Sequence, residues 1–285
     1  MNIFLTNDDG YQSKGIHVLA KILSDLAGPR GKVEVIAPKK HQSGTGMGLS
    51  LGPSPVAYKE LGQEGNISWA YLDATPASCV KFVLNYGKCT HPHIVVSGAN
   101  HGHNTSAAAL YSGTLGAAAE GTLNGIPSFG VSLASLDKDA DFSCVEKYLP
   151  GILQKLIDNP THRAGIYYNI NFPDLPADKV KGIRIGVMGQ GRWIEEYSTI
   201  EMAIKIGRVP ECMAQTPKEE GESLFVMLGD YLDNPFPPQR ADNHLIDAGY
   251  ISIVAHTLYN TDNDETLRLL SMPLECEFDH NKTEK

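Results

Sequence analysis

Two aspartates stand side by side near the start of the chain, Asp8 and Asp9, after the apolar run Ile3-Phe4-Leu5 and before Gly10. Adjacent carboxylates repel unless a proton or a cation separates them. A hard divalent cation with oxygen ligands keeps both ionised. Neighbouring side chains on a strand point to opposite faces, so the pair converges only where the chain bends. Gly10 permits that bend, having no Cβ penalty at positive φ. The same residue types also make a plain polar turn before a helix. Two later loops offer compatible chemistry. Lys39 to Gly48 (K-K-H-Q-S-G-T-G-M-G) can wrap an anion with backbone N–H groups, with Ser43 or Thr45 as its hydroxyl, or can be a mobile loop with no ligand. Gly98 to Asn104 carries Asn100 and Asn104 beside His101 and His103, which either assist a metal site or hydrogen-bond within the loop. Ser112, Gly113 and Thr114 open a small-residue helical run whose first turn, with free N–H groups, is a natural phosphate seat; tight helix packing is the competing use.

The elements that must position these residues follow from periodicity. Ile3 to Thr6 reads as a strand, Gly15 to Leu23 as a helix and Val33 to Pro38 as a second strand, a parallel crossover of right-handed type. Val56 to Tyr71 predicts a hairpin outside the parallel core. Thr75 as N-cap and Pro76 at the first position predict a helix through Asn85. Pro92 to Ser97, Ile126 to Leu133, Gly165 to Pro173 and Asp247 to Ala255 predict further strands, and Tyr148 to Asp158 another helix. The division expected is a main α/β core over 1–188, a protruding arm of hairpins over 189–240, and a return strand and frayed tail over 241–285. All three acidic or polar loops then gather at the carboxyl edge of one sheet.

The formal charge of −9 argues against a nucleic-acid polymer as partner, since no basic stripe neutralises phosphates. No apolar run approaches the roughly 20 residues of a membrane helix, and the chain opens directly on a core strand, so a cytoplasmic protein without a leader is expected. Five scattered cysteines without a C-x-x-C fit reduced thiols. Cys89, His91 and His93 include zinc-ligand types, but no second cluster has matching spacing.

The motifs taken together resemble the SurE survival proteins, a family of metal-dependent nucleoside monophosphate phosphatases. The resemblance rests on T-N-D-D-G (6–10), A-P…Q-S-G (37–44), V-S-G-A-N (96–100), Y-S-G-T-L-G-A-A-A-E-G (111–121), G-I-P (125–127) and D-A-G-Y-I-S-I (247–253). It implies a Rossmann-like, mostly parallel sheet flanked by helices, with a C-terminal extension of hairpins used in oligomerisation. It implies that Asp8, Asp9, Ser43 and Asn100 ligate one divalent cation, Mg²⁺ or Mn²⁺, and that Asn104, Ser112, Gly113 and Thr114 handle the substrate phosphate. It further implies 5′- and 3′-nucleotide substrates and a homodimer or homotetramer.

Two departures from the family pattern bear on substrate preference. Thr105-Ser106-Ala107 follows Asn104 where many members carry acidic residues, and Ala74-Thr75-Pro76-Ala77-Ser78 stands where many have G-T-P-x-D. The expected chemistry is attack by water, with Asp8 orienting it or taking its proton. A phospho-aspartate is disfavoured because the carboxylates are adjacent, whereas aspartyl phosphatases use D-x-D. A signalling receiver would need a phospho-accepting aspartate at the end of the third strand of its sheet, where this chain leads to Asn100. A non-catalytic nucleotide-binding protein differs only in lacking turnover.

Overall fold

The chain is described by a computed structural model that covers residues 1–88, 91–234 and 239–272. Cys89 of the candidate zinc cluster and the tail beyond residue 272 lie outside the described residues. Nine strands form one sheet: β1 (Asn2–Thr6), β2 (Lys32–Pro38), β3 (Tyr58–Glu64), β4 (Ile67–Leu72), β5 (Ile94–His101), β6 (Ser128–Leu133), β7 (Ile166–Phe172), β8 (Ile183–Ile185) and β9 (Ile251–Thr257). Their spatial order is β3-β4-β2-β1-β5-β6-β7-β9-β8. The six inner strands β4, β2, β1, β5, β6 and β7 are parallel, while β3 and β9 run antiparallel to β4 and β7.

Both faces of the sheet are covered, which is why its central strands read as unbroken apolar runs. Helices α1 (Lys14–Ala27) and α4 (Ser143–Asp158) cover one face, and α2 (Pro76–Tyr86) and α3 (Gly113–Leu123) the other. Along β1 the partition alternates with the pleat: Ile3 and Leu5 join the α1 side, Phe4 the α2 and α3 side, all fully buried. The predicted caps hold. Thr75 Oγ1 accepts from the Ser78 N–H at 3.3 Å, and Ser112 Oγ accepts from the Leu115 N–H at 3.1 Å.

The order reverses at β1. The chain moves outward through β2, β3 and β4, then returns to lay β5 on the other side of β1, with Thr6 opposite Ser97. Connections at such a switch point leave in opposite directions and open a crevice beyond the strand ends. β5 carries a bulge here, its register with β6 shifting between Ser97 and Asn100.

Two expectations are corrected. The hairpin is not outside the core: β4 pairs in parallel with β2 over Val33–Pro38, because Ile67 buries on one face of the sheet and Ala70 and Leu72 on the other. The stretch from Asp247 to Tyr250 is the end of a helix (Asp242–Asp247) and a turn at Gly249, φ +85°, rather than strand. Residues 189–234 depart from the sheet as an antiparallel ribbon: Arg192–Ile194 pairs with Asp230–Leu232, and Tyr197–Thr199 with Phe225–Met227. No described helix is long and apolar enough to cross a membrane.

Candidate active site

The site grows from the end of β1. Asn7 is fully buried, and its side chain closes the turn by donating to Gly10 O at 2.9 Å and Ser13 Oγ at 2.8 Å, while accepting from the Gly10 N–H. Gly10 takes φ +96°, the conformation the bend required. Asn7 therefore shapes the loop, and its two neighbours present carboxylates.

Asp8 is buried, and its Oδ1 accepts a 2.6 Å hydrogen bond from Thr114 Oγ1 at the first turn of α3. Burial raises its pKa to about 6; Asp9 adds to the rise, and the Thr114 bond opposes it. Asp9 is also well covered. One oxygen accepts from the His101 N–H at 3.0 Å, and the other lies 3.4 Å from His41 Nδ1.

Asp8 meets the helix N-terminus because Gly113 has no side chain. A Cβ there would stand 2.9 Å from Asp8 Cβ and 2.8 Å from Thr45 Oγ1. A Cβ on Gly116 would fall 2.0 Å from Gly46 O, so the 42–48 loop can lie directly across α3. That loop is further tied by the Gln42 N–H to Asp8 O (2.7 Å) and the Gly46 N–H to Tyr111 O (2.9 Å). Ser112 Oγ and its carbonyl take the N–H groups of Leu115 and Gly116. The N–H groups of Gly113 and Thr114 are the pair left for an outside acceptor.

Of the residues singled out from the sequence, Asp8, Asp9, Gly113 and Thr114 are brought together. Asn100 joins through the β5 bulge, beside His101. Its Nδ2 donates to Gly102 O at 2.7 Å, which leaves Oδ1 as an acceptor. Ser43 lies exposed on the loop and makes no hydrogen bond to Asp8, Asp9 or Asn100; Thr45 Oγ1 donates to Gln42 O at 2.8 Å and packs on Gly113. The rings of both histidines have other partners: His101 Nδ1 meets Asp137 O at 3.0 Å, and His103 Nδ1 meets Thr105 Oγ1 at 2.8 Å. Among the described residues no group of three or more His, Cys, Asp or Glu side chains gathers at one point. The charged ligand types at this point are the two carboxylates, with amide and hydroxyl oxygens beside them.

With this geometry in view, residues 3–195 match the family described as Survival protein SurE. The chain belongs to the SurE family. The 5′-nucleotidase SurE of Bacteroides thetaiotaomicron is 30% identical over 256 residues, covering 90% of each chain. That of Phocaeicola vulgatus is 36% identical over 252 residues, covering 88% of each. The crystal structure of the SurE protein from Aquifex aeolicus superposes with a TM-score of 0.73 at 25% identity, over 95% of this chain and 99% of that one.

In this SurE chain the sequence reading missed the supports of Asn104. Its N–H donates to Asn171 Oδ1 at 2.8 Å, its Nδ2 to Ser132 Oγ at 2.8 Å, and its carbonyl accepts from Asn169 Nδ2 at 2.7 Å. The signal was present, since asparagines at 169 and 171 break the apolar run of a central strand on one face. Beyond Asn104, Ser106 is held at φ +51° by Asp242, 136 residues away. The fully buried Asp242 carboxylate accepts from the N–H groups of Ser106 (3.1 Å), Gly189 (2.9 Å) and Asn243 (2.9 Å). It thus joins the Asn104 loop to the root of the ribbon. Nothing local in the sequence marks it.

Two outcomes follow. A carboxyl raised from 3.8 to about 6 favours the folded state below pH 4 and loses that contribution as pH rises through 6, a swing of about 3 kcal/mol. Metal-free Asp8→Asn should therefore melt higher than the parent protein at pH 8 in chelator, with the difference fading toward pH 4; equal melting at both pH values would contradict a buried, costly Asp8. Asp242→Ala leaves three buried N–H groups without an acceptor and should cost about 3 kcal/mol or more in denaturant unfolding, with phosphate release falling in parallel.

Proposed function

We infer that this chain hydrolyses nucleoside monophosphates to nucleoside and phosphate with the help of one divalent cation. It is a phosphoric monoester hydrolase of the 5′-nucleotidase type, as its relatives are named. The observation that carries the site assignment is the contact between the Asp8 carboxylate and the first turn of α3 across Gly113. A negative side chain beside an anion seat is incompatible with a phosphate unless positive charge comes between them.

The residues fit such a cation. Asp8 and Asp9 supply paired carboxylates, Asn100 Oδ1 a neutral oxygen, and Ser43 a hydroxyl from the rim of the 42–48 loop, a hard-oxygen set suited to Mg²⁺ or Mn²⁺. When bound, the cation supplies positive charge that polarises the phosphoryl group. The chain's own groups do the rest. The N–H groups of Gly113 and Thr114 receive the equatorial phosphoryl oxygens, with Ser112 fixing that turn by its cap. Asn104, braced by Ser132, Asn169 and Asn171, keeps its second amide hydrogen for the phosphate. Asp8, oriented by Thr114 Oγ1, positions the attacking water and takes its proton as the new P–O bond forms. The ester P–O bond breaks, and a proton reaches the departing nucleoside oxygen. Hydrolysis of 3′-monophosphates belongs to the same reading, as the family resemblance implies.

The stretch 189–240, whose residues 189–234 form the ribbon, is an association arm in this reading. Tyr197, Phe225 and Met227 are more than half exposed on its paired strands, an arrangement that favours contact with a second copy of the chain.

Metal-stripped protein should release phosphate from nucleoside 5′- and 3′-monophosphates only after Mg²⁺ or Mn²⁺ is restored. Asp8→Asn and Asp9→Asn should each reduce turnover at least a hundredfold with far-UV circular dichroism unchanged; near-normal rates in both would remove the metal role. Sedimentation should give two or four times the 30.9 kDa chain mass, and a monomer at micromolar concentration would refute the arm assignment.

A further inference from the structure

A nucleotidase must hold a nucleoside as well as a phosphate, and the residues so far described touch only the phosphate end. A cavity of about 530 Å³ begins at Ser112, the N-cap of the phosphate turn. Of the larger cavities among the described residues, it is the one that includes a residue of the anion seat. One wall is the stripe of Ser112, the N-cap of α3, with Gly116 and Ala119 on the helix, whose small side chains leave the space open. At 1.5 Å per residue this stripe runs about 10 Å down from the phosphate turn, the length of a nucleoside monophosphate.

The facing wall is the β7–β9 pair. Asn171, Asn169 and Tyr167 share one face of β7, and their partners across the antiparallel pair are Ser252, Val254 and His256. Tyr167 and His256 therefore sit two residues below Asn169, about 7 Å along the strand. Their rings stack with centroids 5.3 Å apart and planes 19° from parallel, and both line the cavity. A hydrogen-bonded path connects them to the phosphate end: Asn169 Nδ2 donates to Asn104 O at 2.7 Å and lies 3.5 Å from His256 Nε2. Burial holds the His256 imidazole below its ordinary range, which favours its neutral form. Met47, from the loop that crosses α3, lines the cavity near Gly46.

We propose that this cavity is the nucleoside subsite, with the base stacked against the Tyr167–His256 pair while the phosphate rests on the first turn of α3. The assignment rests on the nucleotidase reading. Both walls give the same order, phosphate at the strand ends and base further down. A planar base of any kind gains from stacking on such a surface, so Tyr167 and His256 select for nucleotides over other phosphate monoesters without choosing one base. The subsite explains how a broad seat for a phosphoryl group becomes selective.

The test compares adenosine 5′-monophosphate with ribose 5-phosphate, which carries the same phosphate and sugar but no base, on the full-length protein with Mn²⁺. Tyr167→Ala and His256→Ala should each lower the ratio of kcat/KM values, nucleotide over sugar phosphate, by about tenfold or more, mainly through KM. Tyr167→Phe, which keeps the ring, should hold the ratio within about threefold of the parent, and circular dichroism checks that each variant is folded. A ratio unchanged in both alanine variants, or a Tyr167→Phe ratio that falls as far as that of Tyr167→Ala, would overturn the subsite while leaving the nucleotidase intact. Parent protein that releases phosphate from neither compound would overturn the nucleotidase reading, and the subsite with it.

Discussion

The structure depends on the cost of holding two neighbouring carboxylates out of water. Asp8 is nearly inaccessible, lies beside Asp9, and carries a pKa pushed up to about 6 as a result. Every local feature around it either produces that burial or compensates it. Asn7 and Gly10 force the bend that turns both side chains to one side. Thr114 supplies the one side-chain hydrogen bond that favours the ionised form, and α3 points the positive end of its dipole at the same spot. The glycines at 113 and 116 let helix and loop approach closer than any side chain would allow. A fold that bore this cost without function would gain stability from losing the charge.

The sheet topology makes the burial possible. Only where β1 and β5 part does the sheet leave a crevice at its carboxyl edge, and the Asp8–Asp9 loop fills the floor of that crevice. The supports then extend sideways along the sheet. Asn104, Ser132, Asn169 and Asn171 form a buried polar network on β6, β7 and the loop that follows β5. Such a network fixes one geometry because every unsatisfied member would carry a desolvation penalty of about 1–3 kcal/mol. Asp242 carries the same logic to the root of the ribbon, so the Asn104 loop and the ribbon share one buried carboxylate. The ribbon and the Asn104 loop are thus mechanically joined, although they lie on separate parts of the chain.

The sequence alone determined the order of strands and helices through the core, the caps of α2 and α3, and the three loops that form the site. Apolar runs bounded by Gly, Pro and Asx residues are local signals, and they do not depend on distant neighbours. Family resemblance on the T-N-D-D-G and Y-S-G-T-L-G motifs then singled out Asp8, Asp9, Gly113 and Thr114, which the fold brings together. Ser43, chosen over Thr45 on resemblance, sits at the exposed rim. Only tertiary structure decided that β4 joins the parallel sheet, that Asp247 to Tyr250 ends a helix, and that Asn169, Asn171 and Asp242 brace the Asn104 loop. It alone placed Tyr167 opposite His256, 89 residues later in the chain. The physical reason is common to all of these. A strand's partner, a buried carboxylate's donors and a cavity's two walls come from segments far apart in sequence, and a side chain's surroundings are set by that pairing rather than by its own neighbours along the chain.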